Sequence, residues 1–199
     1  MKKCMANQAA AIAVGAALLV ALPTQGAAQD INQTLAKLRL GLVGLTIDMP
    51  DGQYIGETNP PNQKTYRWDS ELTPGDRVSA DQLLAAEHFR FAGVPVMPGN
   101  ELSFTEGIFG PERFRLGGRL TSLNIQGRDR YEIRSHVSWS IFDTETSSVI
   151  IEKEVKGLAR GAVLGLRGEQ PNALMDSIID SLEEFLDKDG EKALKAARG

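Results

Sequence analysis

The chain has 199 residues, a formal net charge of −4, 42% hydrophobic residues and a single cysteine. That length holds one ordinary domain. The acidic balance lacks the basic face of a nucleic-acid binder, and one cysteine permits no disulfide framework.

Residues 1–28 read as a secretory signal peptide. Lys2 and Lys3 form a positive start, Ala9 to Leu22 is an apolar run, and Gly26-Ala27-Ala28 supplies the small residues of a cleavage site after Ala28. The alternative is an N-terminal anchor, but the run is short of the roughly 20 apolar residues that a bilayer span needs. Cys4 precedes the run, where it cannot serve as a lipidation site, and the processed chain then lacks cysteine entirely. Loss of two lysines takes the net charge to about −6, counting groups at reference pKa values. The sequence offers no second apolar stretch long enough to span a bilayer.

Residues 29–40 form an N-terminal arm, either a short helix or a loose segment, and residues 41–199 a single domain. "LGLVGLTIDMP" predicts a buried strand from Leu42 to Asp48, ended by Pro50. A Gly-, Pro- and Asn-rich excursion follows over residues 49–77, with a short strand expected at Thr65 to Trp68. Ser79 and Gln82 have the spacing of a capping box, which starts a helix that Gly93 stops. "VPVM" gives a short strand and "NELSFTEGIFGPE" another loop.

The strongest signal is period-two alternation. Tyr131, Ile133, Val137, Trp139 and Ile141 share one parity, opposed by Glu132, Arg134, His136, Ser138 and Ser140. Val149, Ile151 and Val155 repeat the pattern after the turn "DTETSS". Upstream, Phe114, Leu116 and Leu120 take one parity while Leu123 and Ile125 take the other, a slip that predicts a β-bulge near Thr121-Ser122. These three strands form an antiparallel meander. Gly117-Gly118 leaves room for close packing on the first of them. Leu174, Ile178, Leu182, Phe185 and Leu186 then stripe one face of a helix capped at Asn172, with Asp176, Asp180, Glu183 and Glu184 facing water. Gly190 interrupts the helix before a last turn to Ala197. The expected fold is α+β: an antiparallel-rich sheet in the order β-α-β-β-β-β-α, with helices on one face.

"ERFRLGGRLTSLNI", "VSWSIFDTETSSVIIEKEVKG" and "ALMDSIIDSLEEFLDKDGEKALKAA" together resemble a group of bacterial envelope domains. These are the periplasmic domain of curli-secretion-channel and related outer-membrane assembly lipoproteins, and the sheet domain ahead of trypsin-like proteases in proteobacteria. The resemblance covers roughly Leu42 to Ala197 and is best from Phe114 onward. It implies the sheet fold, the envelope compartment and a non-enzymatic role in assembly or recognition. The chain departs from both groups: it lacks the lipobox cysteine of the first and a protease domain behind it as in the second.

No motif selects an active site. A hydrolytic triad needs nucleophile, base and carboxylate in contact, and no G-x-S-x-G elbow is present. His136 sits on a polar strand face and His88 on a helix, both as solvated residues. "DKDGE" lacks the ligand series of a calcium loop, and the processed chain offers no zinc set, so neither metal nor cofactor is expected. A carboxylate pair for glycoside hydrolysis would be set by distance in space, and Asp48 and Glu57 are not singled out by spacing.

"GLARGAVLGLRGEQPN", residues 157–172, lies between a strand and a helix, where phosphate could be captured. It lacks the Lys and Ser/Thr of a P-loop, and Glu169 repels an anion. The remaining choices are a loop packed on the body or a mobile contact segment with Leu164 and Leu166 as anchors. In the second, Arg160 and Arg167 meet acidic groups on a partner. Leu158, Arg160, Val163, Leu164, Leu166 and Arg167 are thus the partner-contact candidates. Trp68 joins them as an interface anchor, its alternative role being a plug over the core. The expected function is a periplasmic, non-enzymatic binding or assembly-accessory protein whose partner is another envelope protein or a second copy. The rival is a periplasmic hydrolase with a carboxylate pair in the long loops.

Overall fold

The structure is a computed structural model that describes residues 24–50, 52–58, 64–68, 94, 102–104, 111–127, 130–162 and 170–199. The expected helix from Ser79 and the strand "VPVM", apart from Val94, lie outside the described residues. So does the apolar run before Thr24.

Among the described residues six strands form one mixed sheet: β1 (Leu40–Ile47), β2 (Tyr54–Thr58), β3 (Lys64–Arg67), β4 (Phe114–Gly127), β5 (Arg130–Asp143) and β6 (Ser148–Ala162). Helix α1 (Thr24–Leu38) precedes them. Helix α2 (Gln170–Phe185), a π-helical turn (Leu186–Gly190) and α3 (Glu191–Arg198) close the chain. The α+β class and the antiparallel meander β4-β5-β6 are as expected. Residues 29–38 of the predicted arm are the last ten of the fifteen residues of α1, which also runs across the predicted cleavage point after Ala28, and Leu40 already belongs to β1. The 49–77 excursion carries β2 as well as the expected β3, and β2 pairs antiparallel with β3.

The outer edge of β4 is shared. β1 pairs parallel with its first half, Leu40 opposite Phe114, and β2 pairs parallel with its end, Gly56 opposite Ile125. Between them the Asp48 N–H donates to the Leu120 carbonyl at 2.9 Å. This is where β4 bulges, since the β4-β5 register shifts between Leu120 and Ser122. The parity slip in the sequence is this bulge, which keeps Leu123 and Ile125 buried beside Leu116 and Leu120.

The core lies between the sheet and α2. Leu174, Ile178, Leu182, Phe185 and Leu186, the predicted stripe, are all buried. Trp139 is fully buried and stands opposite Gly118. A Cβ on Gly118 would lie 2.5 Å from the Trp139 ring and 2.9 Å from Leu45, so only glycine admits the indole there. The indole N–H donates to Ser181 Oγ at 3.0 Å, and Ser181 Oγ–H donates to the Ile178 carbonyl. A buried tryptophan thereby keeps its one polar atom satisfied. Gly117 faces the other side, under Leu102 and Phe104, and Phe104 stacks on Phe142 with centroids 5.2 Å apart.

Two strand readings are corrected. Val149 is 48% exposed, because the β5-β6 register shifts between Ile141 and Phe142 and the extra residue, Ile150, reverses the parity ahead of it. β6 also does not end at Lys156. It runs to Ala162, so Gly157 to Ala162 belong to the sheet and not to a loop.

Candidate functional site at the edge of the sheet

The strand extension decides the placement of the partner-contact residues. Leu158 and Arg160 were expected on a mobile loop; they sit in β6, paired with Arg134 and Glu132 of β5. The reason is the close approach of α2. A Cβ on Gly157 would lie 1.6 Å from the Ser177 carbonyl oxygen, so this glycine provides space and not mobility. Around it, Ser135 Oγ–H donates to the same Ser177 carbonyl at 3.1 Å, and the Leu158 N–H donates to Asp180 Oδ2 at 2.9 Å. Val163, Leu164, Leu166 and Arg167 lie outside the described residues.

Arg160 is not held ready for an acidic partner. Its Nε donates to Glu132 Oε2 at 2.8 Å, and Arg134 also engages Glu132. Those hydrogen bonds, Arg160's first, hold the Glu132 carboxyl below its ordinary range. Trp68 is 7% exposed and belongs to the core, with its N–H donating to the Gln53 carbonyl and its own carbonyl accepting from Gly52. It plugs the sheet end and presents no surface.

What the extension creates is a groove of about 330 Å³ between β6 and α2. Its strand wall is Leu158, Ala159 and Arg160; its helix wall is Asp176, Ile179, Asp180 and Glu183. Three acids at spacings of four and three residues form one stripe of α2, on the flank that overhangs the strand edge. Burial pushes the Asp176 carboxyl up from its ordinary value. Leu158 borders the groove through its backbone, while its side chain, 37% exposed, stands on the opposite face of the strand with Lys156 and Arg160. The sequence announced the acids as water-facing residues; it held no signal that β6 would lie beneath them.

The polar face of the sheet, opposite α2, is a lattice of paired charges. Arg119 lies between Asp48 (3.8 Å) and Glu152 (3.4 Å), and Ser138 Oγ–H donates to Glu152 at 3.0 Å. Glu154 receives Thr121 and stands 3.4 Å from His136 Nδ1. Such exposed pairs contribute about 0–1 kcal/mol each. Glu57 lies on β2 opposite Thr65 and beside Gln126 at the end of β4, whereas Asp48 sits at Leu120 in its middle. Among the described residues no group of three or more His, Cys, Asp or Glu is arranged to hold a metal ion.

A larger cleft of about 590 Å³ lies where α1, α3 and the start of β4 meet. Arg39, Arg113 and Arg198 rim it above Leu35, Leu40 and Phe114. Two of these cations are engaged: Arg113 by Asp143 and Glu145, and Arg198 by the Leu38 carbonyl and the face of Phe114. These contacts tie α1, α3 and the start of β4 together.

No family model matches the chain, and no curated protein matches it. Solved structures with partial likeness include a Caulobacter crescentus protein provisionally assigned as a lipoprotein (14% identity, 45% of this chain and 70% of that one, TM-score 0.33). A Xanthomonas campestris protein of the DUF330 family shows 10% identity over 76% and 87% of the two chains, TM-score 0.34. A Neisseria meningitidis lipoprotein shows 10% identity over 71% and 99%, TM-score 0.25. Among the described residues no helix is long and apolar enough to cross a membrane.

Proposed function

We propose that the chain is an exported, non-enzymatic binding protein of the bacterial envelope, serving the assembly or recognition of other envelope proteins. Export rests on residues 1–28, whose charged start, apolar run and small-residue end suit a cleaved leader. The accessory role draws on the likeness of the β4-β5-β6 and α2 sequences to the assembly-lipoprotein and protease-associated domains. The observation that carries the binding role is the groove at the sheet edge. There the edge strand β6 lies beside the charged flank of α2, and Leu158, its backbone tied to Asp180, leaves an apolar side chain exposed at the same edge. Partly apolar concavities rimmed by charge are where proteins meet.

A photo-cross-linking residue at position 158 of the chain in intact cells tests this. A discrete adduct with an envelope protein is expected from position 158 and none from position 192, an exposed site on α3. Adducts absent from both positions, or equal at both, overturn the proposal.

A further inference from the structure

The outer edge of β6 presents backbone as well as side chains. Glu152, Glu154, Lys156 and Leu158 stand opposite Ser140, Ser138, His136 and Arg134 of β5. The Leu158 N–H goes to Asp180 and not to β5. In an antiparallel ladder, residues two apart direct their N–H and C=O groups the same way. The backbone groups of Glu152, Glu154 and Lys156 therefore point out of the sheet, and among the described residues no strand pairs with that edge. Among the described residues, Asp180 satisfies one of these outward donors, that of Leu158. The rest form a template for another extended chain.

The helix flank above that edge sets the chemistry of what fits. Asp176, Asp180 and Glu183 overhang it. At ~1.5 Å rise per residue, Asp176 and Glu183 are about 10.5 Å apart along α2. Same-face side chains of a strand recur every ~6.8 Å, so two consecutive ones span much of that stripe. Among the described residues that line the groove, the cation Arg160 is taken by Glu132, and partial burial already disfavours the charge on Asp176. A cation laid beside Asp176 relieves that cost; an anion adds to it.

We propose that the groove takes an extended basic peptide segment, added as a further strand along residues 152–160 with its lysines or arginines beneath Asp176, Asp180 and Glu183. This rests on the binding role assigned above and names the class of partner. Strand addition supplies affinity through main-chain hydrogen bonds, and the acid stripe selects the side chains. It differs from the expectation that Arg160 meets an acidic partner, since Arg160 is paired with Glu132. A second copy fits less well, because two-fold pairing of β6 edges would bring two acidic α2 flanks together.

The test uses the purified full chain and nine-residue capped peptides. One alternates lysine with threonine; a second alternates glutamate with threonine. Two further versions of the lysine peptide carry N-methyl groups, on the lysines or on the threonines. The lysine peptide should bind saturably and slow amide exchange within residues 152–160. The glutamate peptide should bind at least about tenfold more weakly, as should the lysine peptide with Asp176→Asn/Glu183→Gln, a loss expected of exposed charge contacts. One N-methyl pattern should abolish binding and the other spare it, because only alternate N–H groups face β6. Equal binding of both charge types, indifference to both N-methyl patterns, or protection outside residues 152–160 overturns the proposal. So does no binding of any peptide, the result expected if the charged edge serves only to prevent aggregation. Failure here with a position-158 adduct in cells rejects the basic-strand class alone; failure of both rejects the binding role.

Discussion

Substituting Gly157 by alanine separates the two accounts of this glycine by the sign of the effect. In a mobile segment, alanine lowers the entropy of the unfolded chain and stabilises by about 0.4–1 kcal/mol. In the strand seen here, the new methyl carbon would fall 1.6 Å from the Ser177 carbonyl oxygen, a backbone atom that no rotamer change can move. α2 must then retreat. Overpacking of this kind costs about 1–3 kcal/mol. The retreat also breaks the hydrogen bonds from Ser135 to Ser177 and from Leu158 to Asp180, each contributing about 0.5–1.5 kcal/mol. The total is a destabilisation of about 2–6 kcal/mol, a large part of the ~5–15 kcal/mol typical of a domain. Urea unfolding followed by tryptophan fluorescence reads it directly, since Trp139 packs beneath the same helix. Lys156→Ala, an exposed site one residue earlier, should stay within about 0.5 kcal/mol. An unchanged or raised midpoint for Gly157→Ala refutes the close helix–strand contact, and with it the groove.

Trp139→Ala should cost about 3–5 kcal/mol, as for large aromatics removed from cores. Trp139→Phe should cost less, since it loses the bond to Ser181 but keeps a ring over Gly118; equal losses in chemical denaturation would contradict this. Asp143 has its pKa lowered to about 2 from 3.8, chiefly by the hydrogen bonds of Arg113. Its folded value lies below its unfolded one, so its stabilisation is full above about pH 4 and is lost as pH falls toward 2. Asp143→Asn should flatten acid unfolding across that window, and parallel profiles for the two proteins would exclude the pair as its source. Thr46 Oγ1 is buried and lacks a hydrogen-bond partner among the described residues. Thr46→Val should therefore leave stability unchanged or raise it by up to about 1 kcal/mol, and a loss above that in thermal melts would reveal a partner.

The meander was legible because period two is read residue by residue. The parity slip at Thr121 located a bulge, and the parity of Trp139 located the core. The same rule misplaced Val149, since the bulge at Ile150 lies among apolar residues where a slip leaves no trace. The groove was illegible for another reason. Gly157 and Gly161 look alike in a sequence whether they loosen a loop or admit a helix, and only the position of Ser177 in space tells them apart. The acids of α2 were correctly assigned to the water-facing side, but which strand edge they overhang depends on tertiary packing. Trp68 had two roles open in the sequence, and its burial under the end of the sheet decides between them.

Parallel pairing of β1 with β4 has a consequence for how the chain is made. "LGLVGLTI" is synthesised well before "ERFRLGGRL" exists to receive it, and contacts so distant in sequence form slowly. Until then β1 is an uncharged, apolar strand, the composition that associates most readily with its own kind. The element made just before it is α1, which buries Ile31 and Leu35 in the same core. That helix can shelter the strand while the rest of the chain arrives. Polar substitutions at Ile31 and Leu35 should therefore lower the yield of soluble protein more than their effect on the melting temperature of the finished fold would suggest.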